Sequence, residues 1–301
     1  MRAPGIQWLP VLTLLTATLT SGCVRHNPAA PADEGRGQQS HERAAGDAER
    51  GVLPGGAAAP EKQLPPLMFL DLGGGVKLEL VLIRPGSFQM GDPSGADDAK
   101  PVHKVTVTKP FYLGKYKVTQ QQWQAVMGSN PSYFKGPGNP VDSVGWEDCK
   151  LFLKKLGEKC GASGEKFGLP TEAQWEYACR AGSTTKYCYG DEEARLAEYA
   201  WFNDNSAGRT HPVGEKKPNA WGLYDVHGGL FEWCADWYGG DYYKSSPARD
   251  PAGPASGTLH VDRGGSWRSL AKGCCSGFRN SNSPRPDYLI GLRVACVPGD
   301  E

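Results

Sequence analysis

Thiol side chains are the groups in this chain best suited to metal or redox chemistry. The sequence contains nine cysteines, two of them adjacent at Cys274 and Cys275. Thiolates bind zinc and copper, but neither a Cys-x-x-Cys pair nor a Cys/His pair at ligand spacing occurs. The vicinal pair cannot easily direct both thiolates at one ion, and the six histidines are scattered singly. Spacing alone therefore predicts no metal centre, and disulfides are the expected use of these thiols in an exported protein.

The N-terminus has the pattern of an export signal. Arg2 is followed by an apolar run over residues 6–19 and then by Thr20-Ser21-Gly22-Cys23, which matches a charged region, a hydrophobic region and small residues before a cleavage point. A cysteine at that point resembles a bacterial lipoprotein signal, with Cys23 as the acylated first residue of the mature chain. A plain secretory peptide and a membrane anchor are the alternatives, although the run is shorter than the roughly 20 apolar residues of a spanning helix.

Residues 1–22 are thus predicted to be a signal peptide and residues 23–66 a disordered tether. From His26 to Pro66 the sequence has almost no large apolar residue, so it cannot bury enough surface to offset the entropy lost on folding. The formal net charge of the chain is zero, which gives no electrostatic basis for binding nucleic acid or an anionic membrane. We expect an exported lipoprotein, periplasmic or at the cell surface, whose only membrane contact is its lipid anchor.

A folded domain is predicted from residue 67 to residue 298. Short apolar runs predict strands at residues 78–83, 86–91, 105–107 and 111–113. Two capping boxes, Thr119 with Gln122 and Thr171 with Gln174, predict the first turns of two amphipathic helices. Between these two helices, apolar residues recur at helical spacing from residue 146 to residue 156 and predict a third. The 40 glycines and 24 prolines indicate much irregular backbone.

Several motifs occur in the order found in one known family. They are Ile83 to Gly91, Lys117-Val118-Thr119, Pro140 to Trp146, Leu169 to Tyr177, Gly222 to Asp225, Phe231 to Tyr238, Arg263 to Trp267 and Gly291 to Ala295. The sequence resembles the formylglycine-generating enzyme family, also called the sulfatase-modifying factor family, of the C-type-lectin-like superfamily. The resemblance covers nearly all of residues 67–298 and implies an α+β fold of short strands and helices. One motif would be weak evidence, whereas an ordered set is rarely a chance match.

The resemblance implies an oxidase that converts a cysteine of a client protein to formylglycine, using O2 and a Cu(I) ion held by two cysteines. Two thiolates suit Cu(I) because soft ligands stabilise this ion. Counted from the Gly-Gly-Ser-Trp motif, the second ligand position is Cys274 and the first is Ser269. A serine hydroxyl is a hard and weakly acidic ligand, so the expected copper site is incomplete unless Cys275 completes it. The alternative for Cys274 is a buried or disulfide-bonded core residue.

The resemblance also implies calcium sites built from oxygen ligands. Glu232 corresponds to a glutamate ligand of the family, while the asparagine expected three residues earlier is replaced by Gly229. Asn203, Asp204 and Asn205 offer a second set of oxygen ligands. The same residue types more often cap turns, so both interpretations of this run stay open.

Two disulfides are implied as well. With Cys23 acylated, eight cysteines remain, and eight cysteines permit about 105 pairings. Family members join the middle helix to the last strand, here Cys149 to Cys296. They also join the third helix to the strand after the Gly-Gly-Ser-Trp loop, here Cys179 to Cys275.

Other members of the superfamily bind ligands through the stretch that follows Gly-Gly-Ser-Trp. Here the corresponding surface is predicted at residues 267–288, with Trp267, Arg268, Arg285 and Tyr288 as contact residues. Exposed loops that carry arginine and tyrosine on a rigid scaffold are suited to recognition, and an ordinary solvated loop is the alternative. The sequence therefore predicts a binding protein of the cell envelope, for a protein or small ligand. The enzymatic alternative is the Cu(I)-dependent oxidase.

Overall fold

The computed structural model describes residues 6–7, 64–161 and 166–298, all of which belong to one compact unit. The rest of the predicted signal peptide, Cys23 and the predicted tether up to residue 63 lie outside the described residues. No helix within the described ranges is long and apolar enough to cross a membrane.

The largest sheet of the described chain is antiparallel throughout. Its strands are β1 (Ile6–Gln7), β2 (Leu67–Asp71), β3 (Lys77–Ile83), β6 (Phe111–Gly114), β7 (Lys166–Gly168) and β12 (Ala295–Val297). They lie in the order β1-β2-β3-β6-β12-β7. A separate hairpin joins β4 (Gly86–Met90) and β5 (His103–Val107). The C-terminal strand β12 therefore lies between two strands that come from much earlier in the chain.

A smaller sheet carries the segments around the Gly-Gly-Ser-Trp motif. It contains β8 (Phe231–Trp237), β9 (His260–Arg263), β10 (Asn280–Asn282) and β11 (Ile290–Gly291). The order is β10-β9-β8-β11, and β11 runs parallel to β8 while the other pairs are antiparallel. The loop of interest leaves β9 and returns at β10, so both of its ends are fixed by one hairpin.

The described residues contain four α-helices, each short. They are α1 (Gln120–Met127), α2 (Trp146–Cys160), α3 (Glu172–Arg180) and α4 (Leu196–Tyr199). Both predicted capping boxes are confirmed, since the hydroxyls of Thr119 and Thr171 accept hydrogen bonds from the backbone of Gln122 and Gln174. The helix predicted from residue 146 is confirmed as α2. The sequence analysis did not anticipate α4, which is a single turn.

Two apolar clusters pack the helices against the sheets. In one, Trp123 of α1 stacks on Phe152 of α2 with ring centroids 5.0 Å apart, and both pack on buried residues of β2, β3 and β12. In the other, Trp175 of α3 packs with residues of β6, β8 and β9. Burial of such large rings is the main stabilising contribution of this fold. The predicted α+β class is confirmed, and α3 with β8 and β9 forms the base of the candidate site.

Candidate functional site

The loop that carries Cys274 starts with a tight turn made possible by two glycines. Gly264 and Gly265 have φ values of +98° and +76°, a region that residues with a Cβ rarely adopt. A Cβ at Gly265 would lie 2.7 Å from the Cys274 sulfur. Cys274 ends a 3-10 turn, Ala271–Cys274, and its side chain is fully buried. The glycine pair thus allows the backbone to close over this thiol.

Ser269 is held within the same loop by its own turn. The backbone N–H of Ser266 donates to Ser269 Oγ at 2.9 Å, and Ser269 N donates to Ser266 O at 2.9 Å. The N–H of Asn203 donates to the Ser269 carbonyl at 3.0 Å. The hydroxyl therefore has a structural hydrogen bond in place of the metal ligation that the family resemblance implied.

The residues at the expected copper position do not fit a two-thiolate site. Burial raises the pKa of the Cys274 thiol, which disfavours the thiolate that a Cu(I) ion requires. Cys275 does not complete the pair, because its sulfur points to Ala271 O at 3.9 Å and lines a cavity with Tyr187. Cys274 instead faces Gly265. Adjacent residues thus present their thiols to different surroundings.

His227 fixes the position of the Cys274 backbone. The N–H of Cys188 donates to His227 Nε2 at 3.0 Å, so the proton of the neutral ring resides on Nδ1, which donates to Cys274 O at 2.8 Å. His227 is fully buried. In the sequence, His227 is one of six scattered histidines without a ligand partner. Only its position between Val226 and Gly228 in a glycine-rich turn indicates burial.

Neither predicted disulfide is formed in the structure, so both pairings are wrong. Cys149, Cys179 and Cys275 are thiols. The position opposite Cys179 is occupied by Ser276, whose Oγ lies 3.7 Å from the Cys179 sulfur. Cys275, one residue earlier, points away to the cavity described above, so the residue that faces Cys179 is one position later than the family resemblance implied.

Glu232, expected to bind calcium, is neutralised by protein cations. Its carboxylate accepts hydrogen bonds from Lys117 Nζ, from Arg293 Nη2 at 2.8 Å and from Trp175 Nε1 at 2.7 Å. Burial alone would raise the pKa of Glu232, but the charges of Arg293 and Lys117 overcome it and lower the pKa to about 2. The side chains of Lys117 and Arg293 already neutralise this fully buried carboxylate, so Glu232 does not fit a calcium site.

The other candidate calcium ligands cap a turn. Asn205 Oδ1 accepts from Phe202 N at 2.8 Å, and Asn205 Nδ2 donates to Ala200 O at 2.9 Å. Asn203 donates to the Asp204 carboxylate at 3.1 Å. Because Asn205 uses both ends of its amide, this run follows the turn-capping alternative. No cluster of three or more His, Cys, Asp or Glu side chains suited to a metal occurs among the described residues.

A second buried ionic cluster supports the end of the loop and was missed by the sequence analysis. Arg279 donates to both oxygens of Glu172 at 2.7 and 2.9 Å. Arg263, at the end of β9, pairs with Glu176 and donates to Ser276 O at 2.9 Å. Bidentate arginine–carboxylate pairs are geometrically specific. The cluster therefore joins α3 to both sides of the loop and fixes its path.

An aromatic surface lies beside this loop, formed by Tyr133, Phe134, Trp267 and Tyr288. The Trp267 ring contacts Phe134 and Tyr288 with centroid separations of 5.6 and 6.1 Å, and Tyr133 contacts Phe134 and Tyr288. Tyr133 is 71% exposed and Tyr288 40% exposed, whereas Trp267 is buried beneath them. Arg268 Nη1 donates to Tyr288 Oη at 3.2 Å.

The structure thus joins three of the four predicted contact residues, Trp267, Arg268 and Tyr288, and adds Tyr133 and Phe134 from a distant part of the sequence. Arg285 is exposed on the loop that leads to Tyr288, but within the described chain no hydrogen bond or ring contact connects it to the aromatic surface. No local signal in the sequence links residues 133 and 134 to this site, because the contact depends on the path of the chain between α1 and α2.

Two indole donors near this surface lack acceptors. Trp267 Nε1 and Trp201 Nε1 are buried and have no hydrogen-bond partner among the described residues. The two tryptophan segments are joined through Gly229, whose N–H donates to Trp201 O at 2.7 Å and whose carbonyl accepts from Trp267 N at 2.8 Å. A buried donor without an acceptor costs about 1–3 kcal/mol.

The α+β fold of short strands and helices is the one expected of a sulfatase-modifying-factor type of domain. Residues 76–297 match the family described as "Sulfatase-modifying factor enzyme 1-like domain". The protein belongs to this family.

Curated relatives differ in what their names state. The chain is 30% identical over 269 residues to "Chaperone protein LppX" of Paenibacillus barcinonensis, covering 72% of this chain and 88% of the relative. It is 30% identical over 239 residues to the formylglycine-generating enzyme of Streptomyces coelicolor, covering 74% and 68%. It is also 32% identical over 250 residues to "Serine/threonine-protein kinase pkn1" of Chlamydia pneumoniae, covering 72% of this chain but only 38% of that protein.

Two solved structures share the fold. "Treponema denticola variable protein 1" aligns with a TM-score of 0.72 at 32% identity, covering 78% of this chain and 100% of that chain. PvdO from Pseudomonas aeruginosa aligns with a TM-score of 0.65 at 31% identity, covering 72% and 94%. The names of these relatives thus state different functions, and family membership alone does not decide between binding and oxidation.

Proposed function

We propose that this protein is a binding protein of the cell envelope that holds an extended segment of another protein on its aromatic surface. The observation that carries the proposal is the exposure of Tyr133 and Tyr288 above a buried Trp267. Tyrosine and arginine are enriched at binding hot spots because they combine apolar contact area with a hydrogen-bonding group. The exposed hydroxyls of Tyr133 and Tyr288 suit the carbonyl groups of an extended backbone.

The polypeptide nature of the proposed ligand is supported by the names of two relatives. One is named a chaperone protein and another a formylglycine-generating enzyme, and both kinds of activity involve contact with other polypeptides. An extended segment offers unpaired carbonyls and side chains on alternate sides. Those carbonyls can accept hydrogen bonds from the exposed tyrosine hydroxyls of the aromatic surface.

The binding test uses an array of immobilised, non-redundant peptides probed with the purified full-length protein. We expect a subset of peptides to bind and the double variant Tyr133→Ala/Tyr288→Ala to lose that binding. Leu151→Ala is the matched control, because Leu151 is also exposed but lies on α2. Binding that is equally strong in the double variant, or absent from the wild type, would contradict the proposal.

Formylglycine generation is the second candidate function, and the retained Cys274 is the observation in its favour. We expect the wild type not to bind Cu(I) stoichiometrically, because the second thiolate is replaced by Ser269 and burial disfavours ionisation of Cys274. Titration with a Cu(I) chelator in competition measures this directly. Tight one-to-one binding by the wild type that is lost in Cys274→Ala would favour the oxidase and justify mass spectrometry of a cysteine peptide under O2.

Ser269→Cys tests whether the missing thiolate accounts for the difference. This substitution restores the two-cysteine pattern of the family's copper site, and we expect it to raise Cu(I) affinity above that of the wild type. Ser132→Cys is the matched control, since Ser132 is a buried serine whose hydroxyl accepts from Asp142 N and does not face a cysteine. Equal gains in the two variants would show a general effect of an added thiol.

The envelope location rests on a lipid anchor at Cys23, which is part of the same proposal. The support is the order of a charged residue, an apolar run and Thr20-Ser21-Gly22-Cys23. Metabolic labelling of the full chain with a fatty-acid analogue in a bacterial host tests it. We expect label on the wild type, recovered with membranes, and none on Cys23→Ala. Labelling that persists in the variant, or unlabelled wild type, would remove the anchor from the proposal.

A further inference from the structure

A cavity of about 350 Å³ opens on the other side of the Cys274–Cys275 pair from the Gly264–Gly265 turn. It lies between three segments of the chain, residues 92–99, 186–193 and 272–279. Its apolar wall includes Tyr187, Phe278 and the thiol of Cys275. A volume near 300 Å³ is at the lower end of small-ligand sites, so the space suits a molecule of one or two amino-acid residues in size. None of the aromatic-surface residues lines it.

Charges of both signs surround this cavity. Lys186 and Lys272 contribute ammonium groups, and Asp92 and Glu193 contribute carboxylates. Within the described chain, Lys186, Lys272 and Glu193 form no salt bridge, in contrast to nearby Glu198, which pairs with Arg195 and Lys217.

The remaining charged groups of the wall are already engaged. Arg279 is held by Glu172, and the Asp98 carboxylate accepts a hydrogen bond from Tyr238. They therefore belong to the scaffold. One oxygen of Asp92 accepts from Ser94 N at 2.8 Å, so the groups left for a ligand are the two ammoniums, the Glu193 carboxylate and the second oxygen of Asp92. Asp92, Lys186 and Glu193 each lie close enough to influence the Cys275 thiol, which places opposite charges around one point of the wall.

A ligand with one charge would be attracted by two of these four groups and repelled by the other two. A dipolar ligand satisfies both pairs, because its carboxylate meets the lysines and its ammonium meets the acidic side chains. An apolar or aromatic side chain would then cover Tyr187 and Phe278. We propose that this cavity binds a zwitterionic amino acid or dipeptide with an apolar side chain, at a site separate from the aromatic surface.

Isothermal titration of the full-length protein with glycyl-L-phenylalanine tests the proposal. We expect saturable binding that is roughly tenfold weaker for the N-acetylated and for the C-amidated dipeptide, because each lacks one of the two charges. Lys272→Gln and Glu193→Gln should each weaken binding of the parent dipeptide by a similar factor. Lys154→Gln, a change of an exposed lysine on α2, is the control and should leave it unchanged.

A blocking variant separates this cavity from other surfaces. Ala96 lines the cavity and is exposed, so Ala96→Phe should fill the space without disturbing the core. Ala197→Phe, at an exposed alanine of α4, is the control for an added ring. We expect only Ala96→Phe to abolish dipeptide binding while peptide-array binding persists. Equal affinity for the three dipeptides, binding unaffected by Ala96→Phe, or no binding by the wild type at millimolar dipeptide would each overturn the inference.

Discussion

At the scale of single residues, the site is governed by buried charges whose partners are fixed by geometry. Glu232 lies between Lys117 and Arg293, and the Glu172 carboxylate accepts hydrogen bonds from Nε and Nη2 of Arg279. Buried pairs of this kind contribute little net stability over apolar substitutes, but removing one partner leaves an uncompensated charge. The Glu172–Arg279 pair therefore acts mainly by specifying the path of the loop, and the Glu232 cluster by holding β8 to Lys117 and Arg293.

Glu232→Gln should be strongly destabilising for this reason. The amide keeps the shape of the side chain but leaves the ammonium and guanidinium buried without a counter-charge, and we expect a loss of about 3–5 kcal/mol in the free energy of unfolding. Urea denaturation followed by tryptophan fluorescence measures it. Glu198→Gln removes an exposed partner of Lys217 and should change the free energy by less than about 1 kcal/mol. Similar losses in both variants would contradict the role of burial.

Asp236 should make stability fall as pH rises. Burial, together with the charge of Glu172, raises the pKa of Asp236 from 3.8 to about 8. Between these values the folded state retains a proton that the unfolded state has released, so this residue stabilises the fold fully below pH 3.8 and loses that effect as pH rises toward 8.

Asp236→Asn removes this titration while keeping an oxygen that can accept from Glu172 N, as Asp236 does at 2.8 Å. Urea unfolding at pH 4, 6 and 8 should therefore show wild-type stability declining relative to the variant across the series. Parallel curves for the two proteins over this range would show that Asp236 does not titrate as described.

At the scale of elements, the parts predicted well are those with local signals. The two capping boxes located the starts of α1 and α3, and the helical spacing from Trp146 located α2, whose N-cap Gly145 donates to the Asp148 side chain at 2.9 Å. The strands β3 to β6 coincide with short apolar runs. In each case the residues that decide the element are within a few positions of one another.

The unpredicted parts depend on residues far apart in the chain. Insertion of β12 between β6 and β7 and the parallel pairing of β11 with β8 have no local signature. The site shows the same limit. Trp267, Arg268 and Tyr288 were predicted from the family resemblance, whereas Tyr133 joins them by tertiary folding alone. The residue that faces Cys179 is Ser276 rather than Cys275, which no local pattern indicates.

One substitution at the C-terminus of α3 should stabilise the protein. Ala181 follows the helix with φ of +47°, a left-handed conformation that costs a residue with a Cβ roughly 1 kcal/mol. Ala181→Gly should therefore raise the melting temperature by a few degrees. Ala125→Gly, within α1, should lower it because glycine weakens a helix interior by about 1 kcal/mol. A decrease in both variants would contradict the assigned strain at Ala181. Differential scanning calorimetry distinguishes these outcomes.

At the scale of the whole molecule, several buried cysteines of the described residues are thiols. Cys149, Cys179, Cys234, Cys274 and Cys275 are buried, while Cys188 is partly exposed. Their contribution to stability is therefore that of small apolar side chains, without a cross-link at any of these positions.

Thiol labelling should reflect this arrangement. In the folded protein we expect a maleimide reagent to modify Cys188 first, because access of the reagent limits the reaction at buried thiols. In denaturant without a reductant, Cys149, Cys179, Cys234, Cys274 and Cys275 should all become reactive, as mapped by peptide mass spectrometry. Cysteines that react only after addition of a reductant would show disulfides in solution. Cys188→Ser is the control for the native reaction.

The contacts that hold the loop after Trp267 determine which of its positions can change during evolution. Its path is set by the glycine turn, by backbone hydrogen bonds from Ser266 and Asn203 and by the contact of His227 with the Cys274 carbonyl. The outward side chains Arg268, Leu270 and Lys272 are not among these supports. A gene for this protein can therefore accumulate changes at those three codons without passing through unfolded intermediates, which makes the loop a place where partner choice evolves independently of the scaffold.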